Sequence, residues 1–253
     1  MLLRGQAAVV TGGASGLGAA TAAALARAGC RVAVLDINRE AAVASAARFG
    51  GLGVACDVSH AVSAEEALAT ARAAHGVERV LVNCAGVGTA GRIVGRDGPL
   101  ALAAFERVIR INLIGSFNML RLSAAAMSAL EPLNDGERGV IVNTASIAAY
   151  EGQVGQAAYA ASKGGVVSMT LPAARELARA GVRVMTIAPG LFHTPMVEGL
   201  PPEVQQSLAA GVPYPSRLGM PEEFAALVEH IATNRFLNGE VIRLDGALRM
   251  PPR

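Results

Sequence analysis

The sequence predicts an α/β fold, a doubly wound parallel sheet of about seven strands with helices on both faces. Three observations support this prediction. Short, β-branched apolar runs alternate with Ala-rich helical runs along the chain. The apolar runs have no polar face, which is typical of strands covered by helices on both sides. No linker, internal repeat or low-complexity tract interrupts the alternation, so residues 1–253 are expected to form a single domain.

The first half of the chain contains four predicted strands, each leading into a helix or a glycine-bearing turn. The predicted strands are Gln6–Thr11, Arg31–Asp36, Gly53–Val58 and Arg79–Ala85, and the helices are Leu17–Ala28, Arg39–Phe49 and Ala64–His75. Glycine directly follows Phe49 and His75, as it commonly does at helix C-termini. The next stretch, Val87–Pro99, is rich in glycine and is expected to be irregular.

The second half contains longer helices and three further predicted strands. In chain order they are helix Ala101–Leu130, strand Gly139–Ser146, helix Ala157–Ala180, strand Val182–Ala188, helix Pro221–Asn234 and strand Glu240–Leu244. A proline-rich excursion at about residues 190–215 follows the sixth strand. Each half therefore repeats the strand–helix alternation from which the fold class is predicted.

The composition argues against several classes of protein. The 22 basic and 20 acidic residues leave a net charge of +2 and form no block of like charge, so dedicated nucleic-acid binding is not expected. No apolar run reaches the roughly 18 residues that a membrane span needs. The three cysteines lack CxxC spacing, which predicts neither a disulfide framework nor a metal site. Because only 17% of residues are charged, subunit contacts are expected to cover part of the surface.

The first strand runs into a glycine-rich loop, TGGASGLG, which opens a helix. A backbone that approaches a pyrophosphate needs residues without a Cβ, and a helix N-terminus offers free N–H groups to the phosphates. A purely structural turn needs one glycine, whereas this loop has four. The loop therefore predicts a dinucleotide site that includes Gly12, Ser15, Gly16, Leu17 and Gly18.

A second group of polar residues follows the fifth strand. Ser146 ends that strand, and Tyr159 lies 13 residues later, one helical turn before Lys163 on the same face. A free phenol has a pKa of about 10, and a nearby ammonium favours the phenolate that can take a proton from an alcohol. A serine hydroxyl beside it can hold the substrate oxygen and stabilise developing negative charge. Each motif alone is common, since YxxxK occurs on many helices and serine often caps a turn.

The two motifs, in this order, resemble the short-chain dehydrogenase/reductase family. The loop has the TGxxxGxG spacing of that family, and Asn83-Cys84-Ala85-Gly86 matches a further family motif at three of four positions. The resemblance implies a Rossmann-type fold and an oxidoreductase whose catalytic residues are Ser146, Tyr159, Lys163 and Asn112. In the family, the residue at the position of Asn112 orients a water molecule that carries a proton away from the lysine.

The resemblance also implies the remaining cofactor contacts. Asp36 ends the second strand, where a carboxylate accepts hydrogen bonds from the adenosine ribose and repels a 2′-phosphate, so NAD is expected. Arg39 keeps NADP open as the alternative, because an arginine nearby can bind that phosphate. Thr194 is expected to bind the nicotinamide carboxamide. The other implied cofactor residues are Asp57, Val58, Cys84, Ala85, Gly86, Tyr159, Lys163, Pro189, Gly190 and Phe192.

Three further segments resemble one branch of the family, which acts on 3-hydroxyacyl-CoA thioesters. They are Asn143–Gly165 with its Glu151–Gln156 insert, Val212–Gly219 and Phe236–Ala247. The likeness implies NAD-dependent, reversible oxidation of a short- or medium-chain (S)-3-hydroxyacyl-CoA by a homotetramer whose C-terminal strand and tail lie at subunit contacts. The Val87–Pro99 loop is shorter here than in that branch.

This branch also suggests where the substrate lies. Ser146, Tyr159, Gln153 and Gln156 are expected to contact the acyl-CoA. Helix Pro202–Gly211, inside the 190–215 excursion, is expected to be a mobile lid, with a plain surface helix as the alternative. Three nearby residues are expected to have no catalytic part: Ser162 as helical filler, Tyr150 as a packing or rim residue, and His193 as a rim residue.

Two other functions remain open from the sequence. The first is a dehydrogenase of hydroxysteroids or other secondary alcohols, because the fold and catalytic residues would be the same. The second is a non-catalytic scaffold subunit, against which the complete Ser–Tyr–Lys–Asn set argues. The expected location is the cytoplasm, or the mitochondrial matrix if the source is eukaryotic.

Overall fold

The computed structural model describes residues 1–199 and 201–252, except for the side chains of residues 196 and 198. Its first half follows the predicted alternation. In chain order the elements are β1 (Ala7–Thr11), α1 (Gly16–Arg27), β2 (Arg31–Asp36), α2 (Arg39–Ala47), β3 (Leu52–Ala55), α3 (Ala61–His75) and β4 (Val80–Asn83). The Asn38 side chain caps α2 by accepting a hydrogen bond from the Ala41 N–H, which fixes the turn directly after β2.

The second half adds a small hairpin, longer helices and three more strands of the main sheet. The elements are β5 (Val94–Gly95), β6 (Gly98–Pro99), α4 (Leu102–Ile109), α5 (Gly115–Ser128), β7 (Gly139–Thr144), α6 (Ala157–Leu177), β8 (Val182–Pro189), α7 (Pro195–Glu198), α8 (Pro202–Ala210), α9 (Pro221–Thr233) and β9 (Val241–Leu244). Short 3-10 turns occur at Asn134–Gly136, Ile147–Ala149 and Ala178–Ala180. Residue 200, inside the predicted 190–215 excursion, lies outside the described residues.

Seven strands form one sheet in the order β3-β2-β1-β4-β7-β8-β9, and every neighbouring pair is parallel. The predicted fold class is therefore confirmed. The strand order reverses next to β1, whose two neighbours are β2 and β4. In doubly wound sheets such a reversal opens a crevice at the carboxyl ends of the strands, which is where ligands bind.

Helices cover both faces of the sheet, so successive strand residues enter two separate cores. One core contains Val10, Val34, Val82 and Val142 together with Leu25 of α1 and Phe224 of α9. The other contains Val9, Leu35, Leu81 and Ile141 together with Leu68 of α3 and Met119 of α5. Each fully buried side chain of this kind contributes about 1.5–3 kcal/mol, so the sheet is a rigid base for the loops at its edge. Within the described ranges, no helix is long and apolar enough to cross a membrane.

The third predicted strand and the stretch Val87–Pro99 differ from the prediction. The third strand was expected to reach Val58 but ends at Ala55. Beyond it the Asp57 carboxylate accepts hydrogen bonds from the backbone N–H and hydroxyl of Ser59, at 2.9 and 2.7 Å, and this turn ends the extended backbone. The stretch Val87–Pro99, expected to be irregular, contains the antiparallel β5–β6 hairpin.

The single long helix expected over Ala101–Leu130 is interrupted. Residues Arg110–Ile114 form a π-helical turn between α4 and α5, with Asn112 inside it. The Asn112 side chain binds the backbone of Val87 on a separate segment, and the extra residue of the π turn allows that contact. A local sequence pattern cannot predict this, because the interruption depends on a partner 25 residues away.

Candidate active site

The glycine-rich loop between β1 and α1 is packed too closely for side chains. A Cβ on Gly18 would lie 2.2 Å from the Gly12 carbonyl oxygen, and a Cβ on Gly12 would lie 2.7 Å from the backbone nitrogen of Ala85. Gly12 and Gly16 also have positive φ values, 62° and 52°, which favour glycine. The backbone of this loop therefore packs directly against the backbone of the residues that follow β4.

The amino end of α1 faces this loop with free hydrogen-bond donors. Ser15 is the N-cap residue, and its carbonyl accepts from the Ala19 N–H at 3.0 Å while its hydroxyl makes no capping bond. The first N–H groups of α1, those of Gly16, Leu17 and Gly18, have no carbonyl partner within the helix. Together with the helix dipole they form an anion-binding end, so the loop fits the pyrophosphate of a dinucleotide.

Asp36 is held in place at the end of β2. Its carboxylate accepts one hydrogen bond from the Ala14 N–H at 3.2 Å and another from the Asn38 N–H at 3.1 Å. The group is half-buried, so lone pairs remain accessible at the crevice. The structure thus fixes a negative charge beside the glycine-rich loop, where the sequence analysis expected one.

The residues after β3 and β4 close the crevice. Cys84 accepts a hydrogen bond from the Thr144 hydroxyl at 3.6 Å, and burial raises the pKa of its thiol to about 11. The Ala85 N–H donates to the Thr11 hydroxyl at 3.2 Å. Gly86 packs closely against the side chains of Asn112 and Lys163, since a Cβ there would lie 3.1 Å from Asn112 Oδ1 and 3.5 Å from Lys163 Nζ. Val58 is buried, and its carbonyl accepts from Asn118 at 2.9 Å.

The segment after β8 forms the opposite wall of the crevice. The Gly190 N–H donates to the Leu244 carbonyl at 2.9 Å, which joins the end of β8 to β9. The Phe192 ring is buried and packs edge-on against Phe224, with centroids 6.4 Å apart, so only its backbone can face a cofactor. The Thr194 methyl lies 3.5 Å from the position a Gly16 Cβ would take. The segment Pro189–Thr194 and the glycine-rich loop are therefore adjacent.

Ser146 and Tyr159 meet at the carboxyl edge of the sheet. Ser146 follows β7 and caps the 3-10 turn Ile147–Ala149 by accepting from the Ala148 N–H at 3.1 Å. Ser146 also lies close enough to the phenol of Tyr159, in the first turn of α6, to lower the pKa of that phenol. Burial of Tyr159 raises this pKa and is the larger effect. In the chain itself the phenol is thus protonated at neutral pH.

Lys163 lies one turn after Tyr159 and is 5% exposed. Its Nζ donates to the Thr144 carbonyl at 2.7 Å and lies 5.8 Å from the centroid of the Tyr159 ring. Burial lowers the pKa of Lys163 to about 8. In the chain itself burial raises the pKa of Tyr159, and Ser146 rather than Lys163 is the group that lowers it, so the expected effect of this ammonium beside a bound nicotinamide stays a prediction.

Asn112 is fully buried and its side chain is occupied by protein groups. Its Oδ1 accepts from the Val87 N–H at 2.8 Å, and its Nδ2 donates to the Val87 carbonyl at 2.9 Å and to the Ser162 hydroxyl at 3.0 Å. Ser162 donates in turn to the Tyr159 carbonyl at 2.7 Å. The expectation that Ser162 is helical filler is wrong, since its hydroxyl joins the Asn112 amide to the Tyr159 carbonyl on α6. These contacts make Asn112 a structural link beside Lys163.

A cavity of about 670 Å³ lies beside the loop that leads into α6, the helix of Tyr159. Its walls come from Arg92–Val94, the loop Gly152–Ala157, Ala160 and Pro252. Gln153 and Gln156 both line it, but Gln156 Oε1 accepts from the Gln153 N–H at 3.0 Å and Gln153 Nε2 donates to the Pro251 carbonyl at 3.0 Å. Both glutamines therefore shape the wall through contacts within the chain.

Sequence reasoning missed several residues that hold the site together. The Thr11 hydroxyl, the Thr144 carbonyl and hydroxyl, and Ser162 all bind residues that the motifs singled out. Their partners are 74, 19, 60 and 3 residues away. A sequence signal existed for Thr11, the first residue of the TGxxxGxG motif, and for Ser162, a polar residue directly before Lys163. Within the described part of the chain, no cluster of His, Cys, Asp and Glu could hold a metal ion.

Comparison with known proteins places the chain in a family. Residues 6–205 match the sequence profile described as short chain dehydrogenase. The chain is 52% identical to the human protein called 3-hydroxyacyl-CoA dehydrogenase type-2, over 99% of this chain and 97% of that protein. It is 50% identical to the Drosophila melanogaster protein of the same name, over 99% of this chain and 100% of that protein. The crystal structure of 3-hydroxyacyl-CoA dehydrogenase type-2 from Mycobacterium avium superposes with a TM-score of 0.94 at 45% identity, covering 98% of each chain.

Proposed function

The chain belongs to the short-chain dehydrogenase family, and on that basis we propose that it transfers a hydride between NAD(H) and the 3-hydroxy or 3-oxo carbon of a short- or medium-chain acyl-CoA. Membership makes it an oxidoreductase that uses a nicotinamide cofactor. The choice of substrate rests on one observation, the identity of about half of all residues, over nearly full length, to proteins named 3-hydroxyacyl-CoA dehydrogenase type-2. The reaction is (S)-3-hydroxyacyl-CoA + NAD⁺ giving 3-oxoacyl-CoA + NADH + H⁺.

The proposed cofactor site is the crevice between the glycine-rich loop and the Pro189–Thr194 segment. Gly12, Ser15, Gly16, Leu17 and Gly18 would bind the pyrophosphate, and Asp36 the adenosine ribose, which selects NAD over NADP. The further proposed contacts are Asp57 and Val58 at the adenine, Cys84, Ala85 and Gly86 along the crevice floor, and Pro189, Gly190, Phe192 and Thr194 at the nicotinamide, where Tyr159 and Lys163 also lie. When bound, the nicotinamide supplies the hydride acceptor or donor.

The chain's own groups handle the proton. In the proposed mechanism Ser146 donates a hydrogen bond to the substrate oxygen, and Tyr159 exchanges a proton with that oxygen. A phenol whose pKa is raised by burial is protonated at neutral pH, which suits reduction of a ketone. Oxidation of an alcohol requires the phenolate, so the forward rate is expected to rise as the pH increases. Lys163, fixed by the Thr144 carbonyl, would hold the nicotinamide ribose hydroxyls beside Tyr159.

We propose a homotetramer as the working assembly. Phe117 on α5 and Leu171 on α6 are 50% and 44% exposed, and Phe236 before β9 is 100% exposed. Large apolar side chains at this exposure are favoured when a partner subunit covers them. Sedimentation of the purified protein should give four times the chain mass of 25.7 kDa. We also propose the cytoplasm, or the mitochondrial matrix of a eukaryote, since all three cysteines are free thiols.

A kinetic panel tests the proposed reaction. Purified protein is assayed with NAD⁺ and 3-hydroxyacyl-CoAs of increasing chain length, and NADH absorbance is followed. Hydroxysteroids and simple secondary alcohols are assayed in parallel. Turnover is expected with the acyl-CoAs at a higher kcat/KM than with any steroid. Turnover of a steroid without turnover of any acyl-CoA would overturn the proposed substrate, and no turnover of any alcohol would overturn the proposed activity.

A further inference from the structure

The insert Glu151–Gln156 and the C-terminal segment after β9 were singled out in the sequence, the first for substrate contacts by its glutamines and the second for subunit contacts. In the structure they bind each other. Glu151 accepts hydrogen bonds from Arg243 Nη1 at 2.8 Å, from Arg243 Nη2 at 3.2 Å and from the Met250 N–H at 3.0 Å. Arg249 Nε also lies 3.3 Å from the same carboxylate. One carboxylate thus holds residues that are about a hundred positions away in sequence.

Arg243 is the second centre of this arrangement. Its Nε donates to Asp245 Oδ2 at 2.7 Å, and its Nη2 also reaches the Leu248 carbonyl at 3.0 Å. Its guanidinium lies over the ring of Tyr150, 5.4 Å from the centroid. A planar guanidinium can bind several acceptors at once, because its five N–H donors point in fixed directions. Arg243 therefore joins the end of β9, the 150–156 loop and residues 245–252, which we call the C-terminal tail.

The tail continues along the loop beyond these charges. The Val154 N–H donates to the Pro252 carbonyl at 3.0 Å, and the Gln153 side chain donates to the Pro251 carbonyl at 3.0 Å. Leu248 of the tail is buried against Ile147 and Val212, in a small core that also includes Leu191 and Met250. The tail is thus anchored by charges, backbone bonds and an apolar cluster. It reaches the cavity itself, since Pro252 is part of the wall.

The 150–156 loop has further contacts away from the tail, since the Gly91 N–H donates to the Gly155 carbonyl at 2.8 Å and Gln156 Oε1 accepts from the Gln153 N–H at 3.0 Å. It contains Gly152 and Gly155, the latter with a φ of 90°, and the Val154 side chain is 52% exposed. Its ends lead to Ser146 on one side and Tyr159 on the other, and residues 152–156 form part of the cavity wall. A glycine-bearing loop loses much conformational entropy when ordered, and contacts from the tail help to offset that loss.

We propose that Glu151 and Arg243 are positioning residues: through their ion pair they seat the C-terminal tail against the 150–156 loop and so complete the wall that receives the acyl-CoA. This inference rests on the proposed function for the identity of the substrate. Neither residue touches the reacting atoms. Arg249 contributes less, because it is 61% exposed and water screens its charge. Arg243 also holds the pKa of Glu151 below its ordinary value, so the carboxylate is ionised at neutral pH.

The test compares Glu151→Gln with a matched control in the same purified enzyme. Glutamine keeps the size of the side chain but loses the charge and replaces one acceptor oxygen with a donor that faces Arg243. The control is Asp135→Asn, which removes the ion pair with Arg235 before β7, at the other end of the sheet. Steady-state kinetics give KM for the acyl-CoA, KM for NAD⁺ and kcat. Sedimentation gives the assembly mass.

For Glu151→Gln, KM for the acyl-CoA is expected to rise about five-fold, which corresponds to about 1 kcal/mol. The kcat, the KM for NAD⁺ and the assembly mass should stay close to those of the wild type. A second variant, a chain ending at Met250, retains the ion pairs but removes the Pro251 and Pro252 carbonyls, and should also raise the acyl-CoA KM. An unchanged acyl-CoA KM in both variants, equal rises of both KM values, or a changed mass would overturn the proposal.

A further measurement separates this proposal from the proposed substrate. Hydrogen exchange of the amides of residues 150–156 is followed in the NAD-bound enzyme without substrate. Exchange should be faster in Glu151→Gln than in the wild type and unchanged in Asp135→Asn. If exchange is faster in Glu151→Gln but the wild type turns over no acyl-CoA, the ion pair holds the tail against the loop as proposed and the proposed substrate is wrong. Equal exchange in all three proteins would refute the seating whatever the substrate.

Discussion

Asp36 offers the sharpest test of how the crevice selects its cofactor. Its carboxylate is fixed by the N–H groups of Ala14 and Asn38, at 3.2 and 3.1 Å, so it cannot turn away from a ligand seated on the glycine-rich loop. Replacement by alanine removes one negative charge and the acceptors proposed for the ribose hydroxyls. The two freed N–H groups belong to a half-buried turn that water can reach, so the chain is expected to remain folded.

The magnitude follows from two effects. A negative charge about 4 Å from a carboxylate, such as the 2′-phosphate of NADP, is repelled by about 4 kcal/mol at an effective dielectric constant near 20 and by about 1 kcal/mol in water. Because Asp36 is half-buried, the repulsion energy at this site is expected to lie between these limits. A hydrogen bond to a charged group contributes about 1.5–3 kcal/mol. Asp36→Ala should therefore weaken NAD⁺ at least about ten-fold and strengthen NADP⁺ by a similar factor. The preference for NAD⁺ over NADP⁺ should fall about 100-fold or more.

Calorimetric titration of both cofactors into the purified protein measures this change without a substrate. Glu40→Ala is the matched control, because Glu40 is an exposed acid in the first turn of α2 and the mutation removes the same charge. The control should keep the wild-type preference. If Asp36→Ala kept it too, the carboxylate would not select the cofactor. If Glu40→Ala changed the preference equally, net charge rather than the placement of Asp36 would be responsible.

Three further predictions follow from the packing of the site. In Gly18→Ala the Cβ would lie 2.2 Å from the Gly12 carbonyl oxygen, so the loop must shift and NAD⁺ affinity should fall at least about ten-fold in the same titration. Asn112→Ala leaves the half-buried N–H and carbonyl of Val87 without their partner, and urea unfolding should show a loss of about 1–3 kcal/mol. The pKa of Lys163 is about 8 in the folded chain and 10.5 for an ordinary lysine, such as that of the unfolded chain. Between these pH values the folded chain therefore binds fewer protons than the unfolded chain, so the contribution of Lys163 to stability rises with pH. Between pH 8 and 10.5, wild-type stability relative to Lys163→Met should therefore rise by up to about 3 kcal/mol, and a flat or falling difference would contradict the assigned shift.

The sequence was sufficient for features that depend on local pattern. The bounds of β2 were predicted correctly and those of β1 to within one residue, because apolar runs end in glycine or a charged residue there. The loop TGGASGLG and the pair Tyr159 and Lys163 were placed correctly for the same reason, since each is a short motif with fixed spacing. The family, the fold class and the enzyme type were confirmed by the comparisons.

Features that depend on distant partners could not be predicted. The Asn112 amide in the π turn binds Val87 and Ser162, and no periodicity in Ala101–Leu130 indicates the turn or these contacts. Strand β3 ends early because of a side-chain turn at Asp57. The roles assigned to individual residues, the lid at about residues 190–215 and the tetramer remain predictions. The pairing of Glu151 with Arg243 spans 92 positions and becomes visible only in three dimensions.

Tyr159 is central to the proposed mechanism, because it is the group that exchanges a proton with the substrate oxygen beside Ser146. Tyr159→Phe removes only the phenolic oxygen, so the fold and the cofactor crevice should be kept. Turnover of 3-hydroxybutyryl-CoA should fall at least about 100-fold, the scale of general acid–base catalysis, while NAD⁺ binding stays within about two-fold of the wild type. A variant that retained the wild-type rate would contradict the proposed mechanism.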